Sequence, residues 1–406
     1  MAPLPAPGEA IEEALRSPLG SAPISELAKP GMKVVVVVTD ATRACPDHLL
    51  VPPILNELNA AGVPDRDITI MVGIGMHRPA TPSEMSEKLG AGVVARVRVV
   101  NPSPEDPSSL IDLGPVAHGV PCRVNRKVYE ADLVVATGIV EPHQYAGYSG
   151  GRKTVAIGCS SAETIRYSHG PAMLDHPRVR LAQLDGNPFH EAITEIAERV
   201  GLSFVLNVVA DEEHRLVAVG AGRADAVLGE LVRVASPMYT VEIDGQFDIA
   251  VAGVGHPKDS NFYQASRAAS YLQFAPEPVV RPGGVIIIPA RAEEGVGQGA
   301  GEQAYFDAMR EAASPADIIA RARAGGYQAG GQRAYVMAQV LAGCTVIMVG
   351  SENPDIAEQL KFRHAASMDE ALKMASRVVG DFGRVAVIPH ALMTLPVVRE
   401  GSPALA

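Results

Sequence analysis

Short apolar runs rich in β-branched side chains recur along the chain, separated by stretches with helical periodicity. They fall at residues 33–38, 68–74, 93–100, 133–139, 204–209, 249–254, 285–289, 345–349 and 385–388. Runs without polar alternation predict strands buried on both faces, as in parallel sheets, and their alternation with helices predicts an α/β fold. Three helix starts place a hydroxyl three residues before a glutamate: Thr81 with Glu84, Ser160 with Glu163, and Ser367 with Glu370. Each pattern predicts a reciprocal N-terminal cap.

At 406 residues the chain exceeds a single core, so two domains are expected. The charged turn at Asp244 and Gly245 suggests the boundary, giving α/β domains at 1–243 and 244–406. The absence of tryptophan and an aromatic content of 4% point to cores of Val, Ile, Leu and Ala. A formal charge of -11 without basic blocks argues against a nucleic-acid partner. No apolar run reaches membrane-spanning length, and the N-terminal stretch lacks a basic region followed by an apolar one. Cys45, Cys122, Cys159 and Cys344 show no CxxC spacing, which fits a reducing cytoplasm. A cytoplasmic protein acting on small molecules is the expectation.

The densest chemistry is the run 141–153, which holds His143, the glycine-rich turn Gly147, Ser149, Gly150, Gly151, and then Arg152 and Lys153. It follows an apolar run, so these groups should stand where a strand ends and a helix begins, the usual edge for function in α/β proteins. A nucleotide-triphosphate loop needs glycine and lysine adjacent, and Arg152 intervenes; the phosphate of a mononucleotide remains compatible with the turn. Other segments after strands carry Asp40, Thr42 and Arg43, then His77, then His169. Three histidines at successive strand ends argue for convergence on one site. They could be three zinc ligands, although zinc leaves Lys153 and the glycine turn without a purpose.

Taken together, these segments resemble the nickel-dependent lactate racemase family, the nickel-pincer-nucleotide 2-hydroxyacid racemases and epimerases. The resemblance rests on residues 40–43, the segment around His77, the run 141–153, the stretch 164–169 and a later segment, 256–264. It implies two α/β domains with mainly parallel sheets and an active-site cleft between them. The N-terminal domain would carry the cofactor tether and the catalytic histidines, and the C-terminal domain would complete the substrate cleft. The implied cofactor is nickel held by a pyridinium-3-thioamide-5-thiocarboxylic acid mononucleotide attached covalently to Lys153, with His169 as the protein ligand to the metal.

On the same resemblance His77 and His143 form the acid–base pair. Asp40, Thr42, Gly147, Ser149, Gly150, Gly151 and Arg152 surround the cofactor, and Arg43, Tyr263, Gln264, Arg267 and Tyr327 meet substrate. The implied reaction inverts C2 of a 2-hydroxyacid by reversible hydride transfer through a 2-keto acid, which avoids removing a proton beside an ionised carboxylate. An arginine suits that carboxylate because its planar guanidinium binds bidentately. Proteins that make the nucleotide and insert nickel are implied partners. Two positions depart from the family: Arg267 replaces a lysine and Tyr327 a tryptophan, which leaves the hydroxyacid open, with lactate or another short aliphatic one favoured. A zinc-dependent hydrolase or a phosphorylated-metabolite-binding protein of the same fold is the alternative reading.

Overall fold

The computed structural model describes residues 1–328, 330–380 and 383–399. The chain forms two compact units: Met1–Ser168 with Gln183–Met238, and His169–Ala182 with the chain from Tyr239 onward. Both are α/β, and their sheets are mainly parallel.

The sheet of the first unit runs Leu216–Gly222, Leu202–Ala210, Leu133–Ile139, Val34–Thr39, Ile68–Gly73, Arg98–Val100. All neighbours are parallel except the first pair, where Leu216–Gly222 returns antiparallel. Val34 to Val38 are all buried, as an unalternated run requires. The helix Asp47–Ala60 covers one face with Leu50, Val51, Ile54, Leu55 and Leu58. Each such side chain stabilises the fold by roughly 1.5–3 kcal/mol on burial.

Several local expectations change. Residues 93–100 are not one strand: 91–96 form a helix that sends Val93 into the core, and only Arg98–Val100 pair with the sheet. Gly90, at φ 86°, separates this helix from Pro82–Leu89. The reciprocal cap forms at Thr81 and Glu84. At Ser367 the hydroxyl caps Glu370 N, while the Glu370 carboxylate accepts from Ala366 N instead of the cap residue. At Ser160 the expected cap is absent: Ser161 caps Thr164 N, Ser160 Oγ donates to Ala156 O, and Glu163 pairs with Arg123. A hairpin, Leu110–Pro115 with Pro121–Asn125, has no counterpart among the predicted strands.

The second unit holds five parallel strands in the order Arg363–Ala365, Thr345–Val349, Val280–Pro289, Phe247–Ala252, Val385–Ile388. Ile286 and Ile288 face one core and Val285 and Ile287 the other, so helices cover both faces. The segment His169–Ala182 is fastened here through Asp175, which accepts from Tyr335 Oη at 2.5 Å, Gln339 Nε2 at 2.7 Å and Arg323 Nε at 2.9 Å. Among the described residues no helix is long and apolar enough to cross a membrane.

Candidate active site

In the first unit, connections from Val34–Thr39 lead outward to Ile68–Gly73 and Arg98–Val100, and the later strands are laid down on the opposite side, beginning with Leu133–Ile139. The strand order therefore reverses between Val34–Thr39 and Leu133–Ile139. Chains leaving two such strands diverge, and ligands in open α/β sheets bind beyond the carboxyl ends there. Asp40 to Arg43 leave one of these strands and the run 141–153 leaves the other.

Asp40 is nearly buried and touches His77 Nδ1 at 2.5 Å, where His77 follows the neighbouring strand Ile68–Gly73. Its other oxygen accepts from Thr42 Oγ1 at 2.7 Å and Thr42 N at 3.2 Å. Burial pulls the Asp40 carboxyl upward, yet His77, Thr42 and the charge of Arg43 outweigh it and leave its pKa below the ordinary value. Asp40 is thus ionised at neutral pH, accepts a hydrogen bond from His77 Nδ1–H, and leaves Nε2 to exchange protons. Side-chain exposure of 53% keeps that nitrogen reachable. The Arg43 guanidinium makes no hydrogen bond or ion pair among the described residues, and its charge acts on both Asp40 and Lys153.

The run 141–153 opens with a tight hairpin in which Pro142–His143 pairs with Gly147–Tyr148. Ser149 closes its neck: the hydroxyl donates to Ile139 O at 2.6 Å and accepts from Glu141 N at 3.1 Å. Gly147 must be glycine, since its φ is 73° and a Cβ would lie 2.3 Å from Gln183 O. His143 Nδ1 accepts from Tyr145 N at 3.2 Å and Ala146 N at 3.1 Å, so the neutral ring carries its proton on Nε2. Buried Asn187 fastens the hairpin by donating to Tyr145 O at 2.8 Å.

Behind the hairpin the short helix Gly151–Ala156 lies directly on the strands. A Cβ on Gly138 would come within 2.5 Å of Gly151 N, and one on Gly73 within 2.8 Å of Thr154 O. Gly150 turns at φ 137°, and Asn207 Oδ1 accepts from Gly151 N at 3.1 Å. This close seat puts Lys153 where burial pulls its pKa down to about 7, helped by Arg43 and opposed by Asp40 and Glu141. Arg152 turns to the helix Pro188–Arg199 instead, donating to Thr194 Oγ1 at 3.0 Å and sharing a 3.2 Å contact with His190 Nε2. Burial and Arg152 push His190 down to about 3, so this imidazole is neutral.

The remaining predicted residues belong to the second unit. His169 is buried, and its carbonyl accepts a hydrogen bond from Tyr327 Oη. Gln264 Oε1 accepts from Arg267 Nη1 at 3.3 Å, and Arg267 Nη2 donates to Tyr271 Oη at 3.2 Å. Tyr263 packs edge-on against Tyr305, 5.6 Å between ring centres, with the Arg333 guanidinium over its ring. Among the described residues no three His, Cys, Asp or Glu side chains are placed to hold a metal ion.

Asn187, Asn207, Lys88 and Asp47 were not singled out by sequence reasoning. Asp47 in the first turn of a helix reads as a solvated dipole partner and Lys88 as a surface charge. Only the fold shows that Asp47 is buried and that Lys88 is largely withdrawn from solvent. An aspartate-held imidazole, an arginine and a lysine whose pKa lies near 7 stand at the ligand-binding edge of an α/β sheet, the makings of an active site in an α/β protein.

Comparison with known proteins agrees. Residues 1–182 match the lactate racemase N-terminal domain and residues 243–395 the lactate racemase C-terminal domain. The chain is 32% identical to the lactate racemase of Lactiplantibacillus plantarum over 393 residues, covering 95% of this chain and 89% of that protein. It is 29% identical to the lactate racemase of Thermoanaerobacterium thermosaccharolyticum over 394 residues, 96% of this chain and 90% of that one. The lactate racemase apoprotein structure from T. thermosaccharolyticum superposes with a TM-score of 0.86 at 29% identity, over 97% of this chain and 93% of that one. A Thermotoga maritima protein shares the fold, with a TM-score of 0.69 at 20% identity over 97% of this chain and 98% of that one. The chain belongs to the lactate racemase family, and is an isomerase.

Proposed function

We propose that the protein racemises a short 2-hydroxyacid, lactate first among them, using a nickel-pincer nucleotide attached to Lys153. The observation that carries the reading is the state of Lys153: an amine whose pKa its buried seat lowers to about 7 and which makes no hydrogen bond or ion pair among the described residues. A free-base lysine suits acyl-type attachment, since only the unprotonated amine is a nucleophile. The glycines at 138 and 151 let the helix that bears Lys153 lie directly on the strands, which fixes where that amine stands. The donor set fits too, because a metal carried by the sulfurs and carbon of a tethered nucleotide asks the protein for one imidazole, the role proposed for His169, and not three.

When bound, the cofactor supplies the acceptor that takes the C2 hydrogen as hydride and returns it. Arg43 holds the substrate carboxylate. His77 accepts the hydroxyl proton at Nε2, with the Asp40 carboxylate stabilising the imidazolium that results. His143 meets the substrate oxygen through Nε2–H. For His143 to act as a second base it must give up the amide contacts from Tyr145 and Ala146. Tyr263, Gln264 and Arg267 are assigned to the substrate's far end, and Tyr327 supports His169 through its carbonyl.

The test is chiral chromatography of D- and L-lactate after incubation with protein produced alongside cofactor-synthesis and nickel-insertion proteins, together with its intact mass. Interconversion and a nucleotide-sized adduct lost in Lys153→Ala are expected. Racemisation by protein of unmodified mass would refute the tether.

A further inference from the structure

We infer that Lys88 and Asp47 are positioning residues that lock the Asp40–Arg43 loop to the strand leading to Lys153. Lys88 stands in the last turn of the helix Pro82–Leu89, where a lysine would ordinarily reach into water. Instead only 13% of its side chain is exposed, and its ammonium donates to Arg43 O at 2.8 Å and Cys45 O at 2.7 Å, with Asp47 Oδ2 at 3.2 Å. Three donors meet three acceptors, and two of these belong to the backbone of the loop that carries Arg43.

Asp47 is fully buried and works as the junction. Thr39 Oγ1, at the end of the strand before Asp40, donates to Oδ2 at 2.7 Å, and Thr137 Oγ1, in Leu133–Ile139, donates to Oδ1 at 2.5 Å. Thr137 O in turn accepts from Thr154 Oγ1 at 3.1 Å, the residue after Lys153. A continuous path of polar contacts therefore runs from the helix bearing Lys153, across the point where the strand order reverses, to the backbone of Arg43. Buried ion pairs contribute little net stability, because desolvation offsets attraction, but their geometry is demanding. What this one fixes is the distance between the loop and the neighbouring strand. A misplacement of an ångström in a substrate-holding group is enough to cost large factors in rate or affinity.

The inference rests on Arg43 holding the substrate carboxylate, and the experiment separates the two. Hydrogen exchange of amides 41–45 is followed by mass spectrometry in the parent, Lys88→Met and Lys88→Arg, and lactate kinetics are measured on the cofactor-loaded forms and on Arg43→Ala. In Lys88→Met the loop amides should exchange at least about tenfold faster. KM for lactate should rise on the order of tenfold with kcat changed by less than about threefold, the pattern of lost uniform binding. Lys88→Arg should recover part of both. Unchanged exchange in Lys88→Met overturns the lock whatever Arg43 does. If exchange quickens but Arg43→Ala leaves KM unaltered, the carboxylate role of Arg43 falls and the functional claim falls with it. Should Lys88→Met not fold, Thr137→Val removes the hydroxyl bond to Asp47 at nearly constant volume, and the same loop amides must quicken in it.

Discussion

His77 and His143 stand at the ends of two strands of one sheet, yet the protein holds the two rings by opposite means. A buried carboxylate faces His77 Nδ1 and accepts its hydrogen bond; two backbone amides face His143 Nδ1 and donate theirs. The ring held by Asp40 has a negative charge already in place beside Nδ1. A ring that accepts two N–H bonds at Nδ1 loses both on protonation there. Two imidazoles that look equivalent as motifs are therefore held differently, which on the proposed function suits one to act as a base and the other as a hydrogen-bond donor, and the difference lies in their neighbours.

Glutamine breaks this comparison most sharply, since its amide can stand in for an Nε2–H donor but not for a base. In the loaded enzyme His77→Gln is expected to lose roughly 10²–10⁴ in racemisation rate, the usual worth of a positioned acid–base group. His143→Gln should retain more activity by at least about tenfold. Rapid-quench measurement of keto acid from each lactate enantiomer refines the result. Equal loss in both variants, with each oxidising only one enantiomer and of opposite hand, would restore two interchangeable bases.

Asp40→Asn comes next. It keeps an oxygen near His77 but removes the charge, so the rate should fall by on the order of 10²-fold or more, while the His143 hairpin is untouched. The same variant has a stability signature. The Asp40 pKa is lowered in the folded protein, so its stabilisation is present above the unfolded value of about 3.9 and is lost as pH falls through the folded one. Urea titrations between pH 3 and pH 6 should show a shallower acid loss in Asp40→Asn than in the parent. Parallel curves would place the carboxylate's partner elsewhere.

The hairpin has its own weak point in Gly147. Alanine there must adopt a φ near 73° and press on the Gln183 carbonyl, so Gly147→Ala should destabilise by more than about 1 kcal/mol, read as a lower thermal midpoint. A neutral result would mean that the turn holding His143 is looser than its backbone contacts imply.

How much of this was legible in the chain follows physical lines. Strands buried on both faces announce themselves, because runs such as 34–38 have nothing but apolar side chains. Groups at strand ends were legible by position, including Asp40, His77, His143 and Lys153. Their pairings were not: nothing in sequence places Asp40 against a histidine 37 residues away, or turns Arg152 inward to Thr194 while the Lys153 amine makes no hydrogen bond among the described residues. The helix at 91–96 was read as strand because Val93, Val94 and Val97 satisfy either period over so short a stretch. Asn207 was hidden for the opposite reason, being a single polar residue inside an apolar strand.

The smallest expected effect concerns Lys153, whose amine feels Asp40 and Arg43 at once. Burial is the largest influence, so no change at a neighbour should return its pKa from about 7 to the ordinary lysine range. The neighbours set the remainder with opposite signs: Asp40→Asn removes a stabilising anion and should lower the value further, whereas Arg43→Ala removes a repelling cation and should raise it. Competitive acetylation of the cofactor-free protein across pH 5 to 10, followed by mass spectrometry of the peptide containing Lys153, reads these midpoints directly. Linkage gives an independent check. Between about 7 and the unfolded value of about 10.4 the unfolded chain binds a proton at this lysine and the folded one does not, so stability from this group rises with pH over that window. In Lys153→Met that rise should vanish. If the variant and the parent gain stability equally from pH 7 to pH 10, the amine is solvated as an ordinary lysine, and the seat built from Gly138, Gly150 and Gly151 does not desolvate it.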